Sequence, residues 1–207
     1  MTPFSEIEAK VRARKGADLL GPRPPHVRSA GELSSLGDDR VLAALTRCVF
    51  AAGFRWKVIE AKWPGFEAAF EGFEPEVLAS WSAEDLDRLV LDARIVRNPV
   101  NIRATLANAS WMLALAESHG SVASWIAHWP SDDIIGLWMA MKAGGTRLGG
   151  LTGPRVLRLL GKDTFLLTPD VVTGLRALGL LTASENSKRG QKAVSYTHLT
   201  LPTILRV

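Results

Sequence analysis

Helix start and stop signals recur so densely along this chain, with so little strand signal between them, that the fold class follows from punctuation alone. Thr2 and Pro3 open a first helix with Phe4, Ile7 and Val11 on one face, and Gly16 ends it. From Gly16 to Gly37 the chain holds Pro22, Pro24 and Pro25 and is too broken for a regular element. Asp38 then caps a helix with Val41, Leu42, Leu45, Val49 and Ala52 at three- and four-residue steps, and Gly53 closes it. Trp56 to Lys62 reads as a short helix, Pro64 starts another that ends at Gly72, and Pro75 opens a third. Ser82 and Asp85 form a capping-box pattern ahead of Leu86, Leu89 and Val90.

Asn98 and Pro99 begin the longest helix, with Ile102, Leu106, Ala109, Leu113 and Ala116 inward and Gly120 as its stop. Val122, Trp125, Ile126 and Trp129 mark the next, which Pro130 breaks. Ser131 caps one that buries Ile134, Leu137, Trp138 and Met141. The expectation is an all-α chain of about ten helices without an internal repeat. The end of the chain, residues 194–207, departs from this pattern: it is β-prone and carries Tyr196, the one tyrosine. That string resembles read-through into adapter or vector sequence, so the natural chain is expected to diverge near Ala193 and the tail is set aside.

Composition removes several classes. With 207 residues the chain can bury a core without staples. Its single cysteine, Cys48, excludes an internal disulfide framework and any multi-cysteine metal site. The four histidines, His26, His119, His128 and His198, show no metal-ligand spacing, so neither a metal nor another cofactor is expected. No apolar run reaches the length of about 18 residues that a membrane span needs, and the amino terminus lacks the pattern of a secretory signal, so the expected compartment is the cytoplasm.

Net charge is +4, and its distribution says more than its total. Between Met141 and Asp163 stand Lys142, Arg147, Arg155, Arg158 and Lys162 against one acid, Asp163. Inside that basic stretch runs Gly144-Gly145-Thr146-Arg147-Leu148-Gly149-Gly150-Leu151-Thr152-Gly153, and Pro154 then starts a helix. Helix, tight glycine turn, helix is the form of a helix–hairpin–helix element. Glycines there let backbone N–H groups approach phosphate oxygens, the helix amino end adds positive dipole, and the Thr152 hydroxyl adds a donor. Arg155 and Arg158 lie within a turn of the same place. The plainer alternative is that the glycine pairs only make a turn. Further on, Thr168 caps a helix with Pro169 at its first position and Asp170 in its first turn. Asp170 either complements the helix dipole or faces a reacting deoxyribose, where a carboxylate stabilises an oxocarbenium-like transition state or orients a water.

Three stretches carry a family resemblance, roughly from Asp38 to Leu180. The first is Ala52-Gly53-Phe54-Arg55-Trp56-Lys57-Val58, continued by Phe66-Glu67-Ala68-Ala69-Phe70. The second is Ile95-Val96-Arg97-Asn98 followed by Ile102, Ala104, Asn108 and Ala109. The third is the hairpin with Gly150 and Thr152. Together they resemble the 3-methyladenine DNA glycosylase I family within the helix–hairpin–helix glycosylase superfamily. The resemblance implies base-excision repair on double-stranded DNA containing alkylated bases, a two-lobed helical bundle, a hairpin that anchors the backbone, and a damaged nucleotide flipped into a cleft.

A 3-methylated adenine in DNA is cationic and therefore already a good leaving group, so aromatic faces that attract a cation by about 0.5–2 kcal/mol are apt. Trp56 aligns with a pocket tryptophan of the family, Phe50 and Phe54 lie near it in sequence, and Trp125, Trp129 and Trp138 read as core. The departures are specific. The family's pocket glutamate falls on Cys48, its zinc ligands have no counterparts, and the superfamily's catalytic aspartate position falls on Thr168 with Asp170 two residues on. Pro154 stands near the place of the lyase lysine, which implies a monofunctional hydrolase rather than a Schiff-base lyase.

The expected assignment is therefore Asp170 as catalytic carboxylate, with Glu60 as a weaker second candidate; Trp56, Phe50 and Cys48 as base pocket; and Gly150, Thr152, Gly153, Arg155 and Arg158 as phosphate grip. The domain scheme is residues 1–37 as helix and linker, 38–193 as the glycosylase-like unit and 194–207 as a non-native tail, working as a monomer. The alternatives are a non-catalytic damaged-DNA-binding protein on the same fold and, further off, a helical interaction protein.

Overall fold

The computed structural model describes residues 27–185 and 187–200, together with Ala9 and Ala13, both helical. The expected first helix with Phe4, Ile7 and Val11, the prolines 22, 24 and 25, and residues 201–207 lie outside the described residues. The described chain carries eleven α-helices and one 3-10 turn, and no strand. It divides into two compact bodies, residues 27–164 and the part from Phe165 onward.

The first body begins with α1 (Ala30–Ser34), inside the stretch expected to be irregular. Ser29 nucleates it: its hydroxyl accepts from the Glu32 N–H, and its own N–H donates to the Glu32 carboxylate at 2.8 Å, a reciprocal capping box. Helix α2 (Asp38–Ala51) follows. Its apolar face, Val41, Leu42, Leu45, Val49 and Phe50, is essentially without exposure. Asp38 does not cap it, as the sequence suggested; Gly37 is the N-cap. The Asp38 carboxylate instead accepts from the N–H groups of Val122 (3.0 and 3.1 Å) and Ala123 (3.1 Å), closing the amino end of a helix 84 residues away.

Helix α3 (Trp56–Ala69) is one element where two were expected, because Pro64 sits inside it. The proline forfeits one intrahelical bond, and Gly65 beside it lets the loop bearing Arg94 come so close that a Cβ would meet the Arg94 carbonyl at 2.5 Å. The 3-10 turn Glu71–Phe73 leads into α4 (Pro75–Ala79) and α5 (Ala83–Leu91), whose Ser82–Asp85 capping box is as expected. Rings from these segments form the aromatic core. Phe50 meets Phe66 edge-on at 4.8 Å, Trp63 stacks between Phe66 and Phe73, and Phe70 stacks on Phe73 at 5.3 Å.

Helix α6 (Pro99–His119) is the axis of this body, with Asn98 capping two N–H groups and Gly120 ending it at φ +79. It packs against α2, α4 and α5. Helix α7 (Val122–His128) is followed by α8 (Ile134–Gly144), capped by Asp133 and not by Ser131. Asp133 reaches the Gly136 N–H at 3.1 Å, which places it at the correct register for the helix that forms. Helix α9 (Thr152–Leu160) lies against α2 and α8. Beyond it Lys162, 9% exposed, donates its ammonium to the carbonyls of Ala127 (3.1 Å) and Trp129 (2.9 Å) at the carboxyl end of α7. Burial holds that ammonium below the usual lysine range.

The second body holds α10 (Pro169–Ala177) and α11 (Lys188–Thr200). The latter runs into the β-prone segment that begins at Val194, whose described part is helical to Thr200.

Candidate active site and nucleic-acid interface

The hairpin is built from α8, a turn and α9. Gly144 ends α8 against the indole of Trp111, so close that a Cβ would lie 2.3 Å from Nε1. The turn then uses two left-handed residues, Arg147 at φ +62 and Gly150 at φ +61. Glycine adopts that conformation freely, whereas an L side chain pays about 1–2 kcal/mol for it. Leu148 plugs the turn into the core, 1% exposed. The N–H groups of Thr152 and Gly153 are consumed inside the turn, donating to the carbonyls of Gly149 and Leu148, each at 3.2 Å. A Cβ on Gly153 would meet the Leu148 carbonyl at 2.9 Å, so this glycine serves the close approach of turn and helix.

What the hairpin turns outward is different. Gly150 is exposed with open space around its Cα, Arg147, Arg155 and Lys142 are exposed, and Arg158 is half-buried. The Lys142 stem lies alongside Gly149. One more residue shapes the turn from beneath: Asn108 of α6, fully buried, accepts from the Thr146 N–H at 2.7 Å and donates to the Thr146 carbonyl at 3.2 Å.

The α2–α3 corner in the same body presents the expected pocket residues in unequal states. Residues 52–58 are all exposed, with Phe54 at 41% just before Arg55 and Trp56 at 44% between Arg55 and Lys57. Phe50, by contrast, is fully enclosed against Phe66, and Cys48 is 3% exposed. Burial pushes the Cys48 thiol up to about 12, opposed by the positive charges of Arg155 and Arg47. Arg47 lies with its guanidinium carbon 4.2 Å from the centre of the Trp63 ring and 6.0 Å from that of Trp56, and its Nε is 3.3 Å from the Glu60 carboxylate. Glu60 is thus an ion-pair partner here. Beside these groups a cavity of about 260 Å³ is lined by Arg28, Arg40, Arg47, Trp63 and Glu67.

Asp170 belongs to the second body, exposed in the first turn of α10, where the Thr168 hydroxyl accepts from the Val171 N–H at 3.4 Å. Among the described residues no three His, Cys, Asp or Glu side chains group as metal ligands do, and no helix is long and apolar enough to cross a membrane.

The family model for methyladenine glycosylase matches residues 32–143, more than half of the chain. The chain belongs to the methyladenine glycosylase family. DNA-3-methyladenine glycosylase 1 of Escherichia coli (strain K12) is 34% identical over 67 residues, 32% of this chain and 36% of the relative. The aligned part therefore spans little more than a third of that relative's length. Among solved structures, 3-methyladenine DNA glycosylase I from Staphylococcus aureus superposes with a TM-score of 0.54 at 27% identity, over 63% of this chain and 80% of that one. A second crystal structure of 3-methyladenine DNA glycosylase I, at 21% identity, gives a TM-score of 0.52 over 60% and 79% of the two chains, a likeness of fold. The all-helical architecture is thus that of methyladenine glycosylases. Arg47 and Arg147 entered no expected site, and Asn108 entered only as part of a motif. Arg47 had no signal in spacing, since only the fold brings it over Trp63.

Proposed function

We propose that this chain is a monofunctional DNA glycosylase of base-excision repair, hydrolysing the N-glycosidic bond of alkylated purines such as 3-methyladenine in double-stranded DNA. The family match over residues 32–143 carries this proposal. The protein acts as a cytoplasmic monomer, with residues 38–193 as the glycosylase unit. In the phosphate grip Gly150 and Arg155, both exposed, make the outward contacts with the half-buried Arg158 beside them, while Thr152 and Gly153, bonded inward, hold the turn in shape from behind. Trp56 supplies an open aromatic face to the extruded base, while Phe50 and Cys48 back that place from within the core. Phe54, exposed next to Arg55 in the same corner, stacks on the DNA. Asp170 is the carboxylate that shelters the developing sugar cation or orients the water.

The test is release of free 3-methyladenine from methylated duplex DNA, identified by chromatography. The expected outcome is release by the wild-type chain and slowing by at least about tenfold in Asp170→Asn, in line with loss of one charge-stabilising group. Full release by Asp170→Asn would overturn the catalytic assignment alone.

A specific observation favours a second reading, a damaged-DNA-binding protein without catalysis. The position that carries the pocket glutamate in the resembling family is a buried thiol that stays neutral at physiological pH. Salt-sensitive duplex binding with no released base decides for that second reading.

A further inference from the structure

We propose that Asn108 is a positioning residue whose grip on Thr146 holds Arg147 in a left-handed conformation and so presents its guanidinium to a DNA phosphate. This rests on the DNA-binding function proposed above and adds to it two residues outside the expected grip.

The geometry is reciprocal. One buried amide, at 0% exposure in the middle of α6, uses its oxygen on the Thr146 N–H and its nitrogen on the Thr146 carbonyl. Two antiparallel bonds to a single residue fix the rotation of the peptide groups on both sides of it, and the second of those groups is the one that enters Arg147. Trp111, one turn further along α6, lies against Gly144 at the start of the same turn. Leu148, buried, holds the other side. Arg147 is therefore bracketed by an anchored residue before it and an anchored residue after it, and its φ of +62 is over-determined.

The choice of residue at that position points outward. Glycine stands at 144, 145, 149 and 150, and it would adopt the left-handed conformation at 147 without strain. An arginine stands there instead. It is exposed, and no carboxylate among the described residues pairs with it. The same hairpin exposes two further cations, Lys142, whose stem lies beside Gly149, and Arg155 on α9. A strained, unpaired guanidinium at the tip of a hairpin, supported from below by a buried amide, suits an external anion with forked acceptor oxygens. A phosphodiester supplies them.

The experiment measures duplex affinity of the full chain over a series of salt concentrations, by fluorescence anisotropy, alongside melting temperature. Arg147→Asn tolerates the left-handed backbone but carries no charge. It is expected to weaken binding by about tenfold at low salt and to flatten the slope of log K against log salt by about 0.9, the signature of one lost phosphate contact. Arg147→Lys restores most of the slope. Asn108→Ala, which touches no DNA, is expected to flatten the slope by the same amount. In the Arg147→Asn background it costs less than about threefold more in affinity, since the contact it supports is already gone. Asn108→Asp keeps the acceptor for the Thr146 N–H and carries the comparison if the alanine variant does not fold. An Asn108→Ala chain that melts lower but keeps the wild-type slope overturns the positioning role, as does an equal affinity cost in both backgrounds. A wild-type chain without salt-dependent duplex binding overturns the underlying function and this inference together, whereas wild-type binding with an unchanged slope in Arg147→Asn overturns this inference only.

Discussion

Replacing Asp38 with alanine is expected to lower the melting temperature of the protein by about 5–15 °C. The carboxylate stands in the first turn of α2 yet serves the first turn of α7, taking three short contacts from the Val122 and Ala123 N–H groups. Val122 is 1% and Ala123 0% exposed, so loss of the Asp38 carboxylate leaves two buried N–H donors without their acceptor. Each orphaned buried donor costs about 1–3 kcal/mol, and the carboxylate's favourable interaction with the positive end of α7 is lost as well. A total of about 2–4 kcal/mol corresponds to the stated shift, since a chain of this size moves by about 2–4 °C per kcal/mol. Asp38→Asn retains one carbonyl oxygen toward the same N–H groups and is expected to lose about half as much. Thermal denaturation followed by circular dichroism checks both. A shift below about 2 °C for the alanine variant would show that α7 satisfies its own end.

The same residue shows where a sequence stops being informative. Local signals were legible wherever the partner was local. The Asn98-Pro99 start of α6, the Ser82–Asp85 capping box of α5 and the Thr168-Pro169 start of α10 all join groups within three residues, and all form as expected. The Ser29–Glu32 box of α1 was equally local, but the prolines and glycines around it masked it. Asp38 departs from its local pattern for the opposite reason: that pattern fits its own helix, and only the fold offers it better donors 84 residues on. Pro64 has the signature of a helix start, where proline is at home. It sits mid-helix instead because α3 is held by its packing, with Phe66 and Ile59 fully buried on either side of it. The helix through Val194 to Thr200 likewise overrides a β-prone composition.

For the candidate site, residue types were more legible than their states. The glycine turn was visible as a turn, but which of its N–H groups stay available was not. Thr152 and Gly153 bond inward, and the outward face passes to Gly150, Arg147 and Arg155. Trp56 and Phe50 looked alike as aromatic candidates near one another in sequence. They are six residues apart, across the end of α2, so one emerges at the exposed corner and the other enters the aromatic core. Asn108 was visible only as a member of a motif, because its function depends on a loop 38 residues away.

Cys48 provides the sharpest chemical expectation. As the single cysteine of the chain it can be followed without interference. Desolvation raises its thiol from 9.0 to about 12, more than Arg155 and Arg47 lower it. Three pH units correspond to about a thousandfold less thiolate than in the unfolded chain, and only the thiolate is nucleophilic. At pH 8, iodoacetamide is therefore expected to alkylate native Cys48 at least about 1000-fold more slowly than the chain in denaturant, with burial at 3% exposure slowing it further. The same shift has a signed consequence for stability. Because the folded pKa lies above the unfolded one, the folded state keeps a proton that the unfolded state releases. The neutral thiol's contribution is complete below pH 9.0 and is lost as pH rises towards about 12. Cys48→Ala is expected to flatten the stability–pH curve in that window and to leave it unchanged near pH 7. Mass spectrometry of the alkylation time course checks the first expectation, and denaturant titrations between pH 8 and about 11 check the second. A native rate within about tenfold of the denatured one would mean that the thiol is reached by solvent, and Cys48 would then be an open, ionisable nucleophile rather than an enclosed neutral side chain.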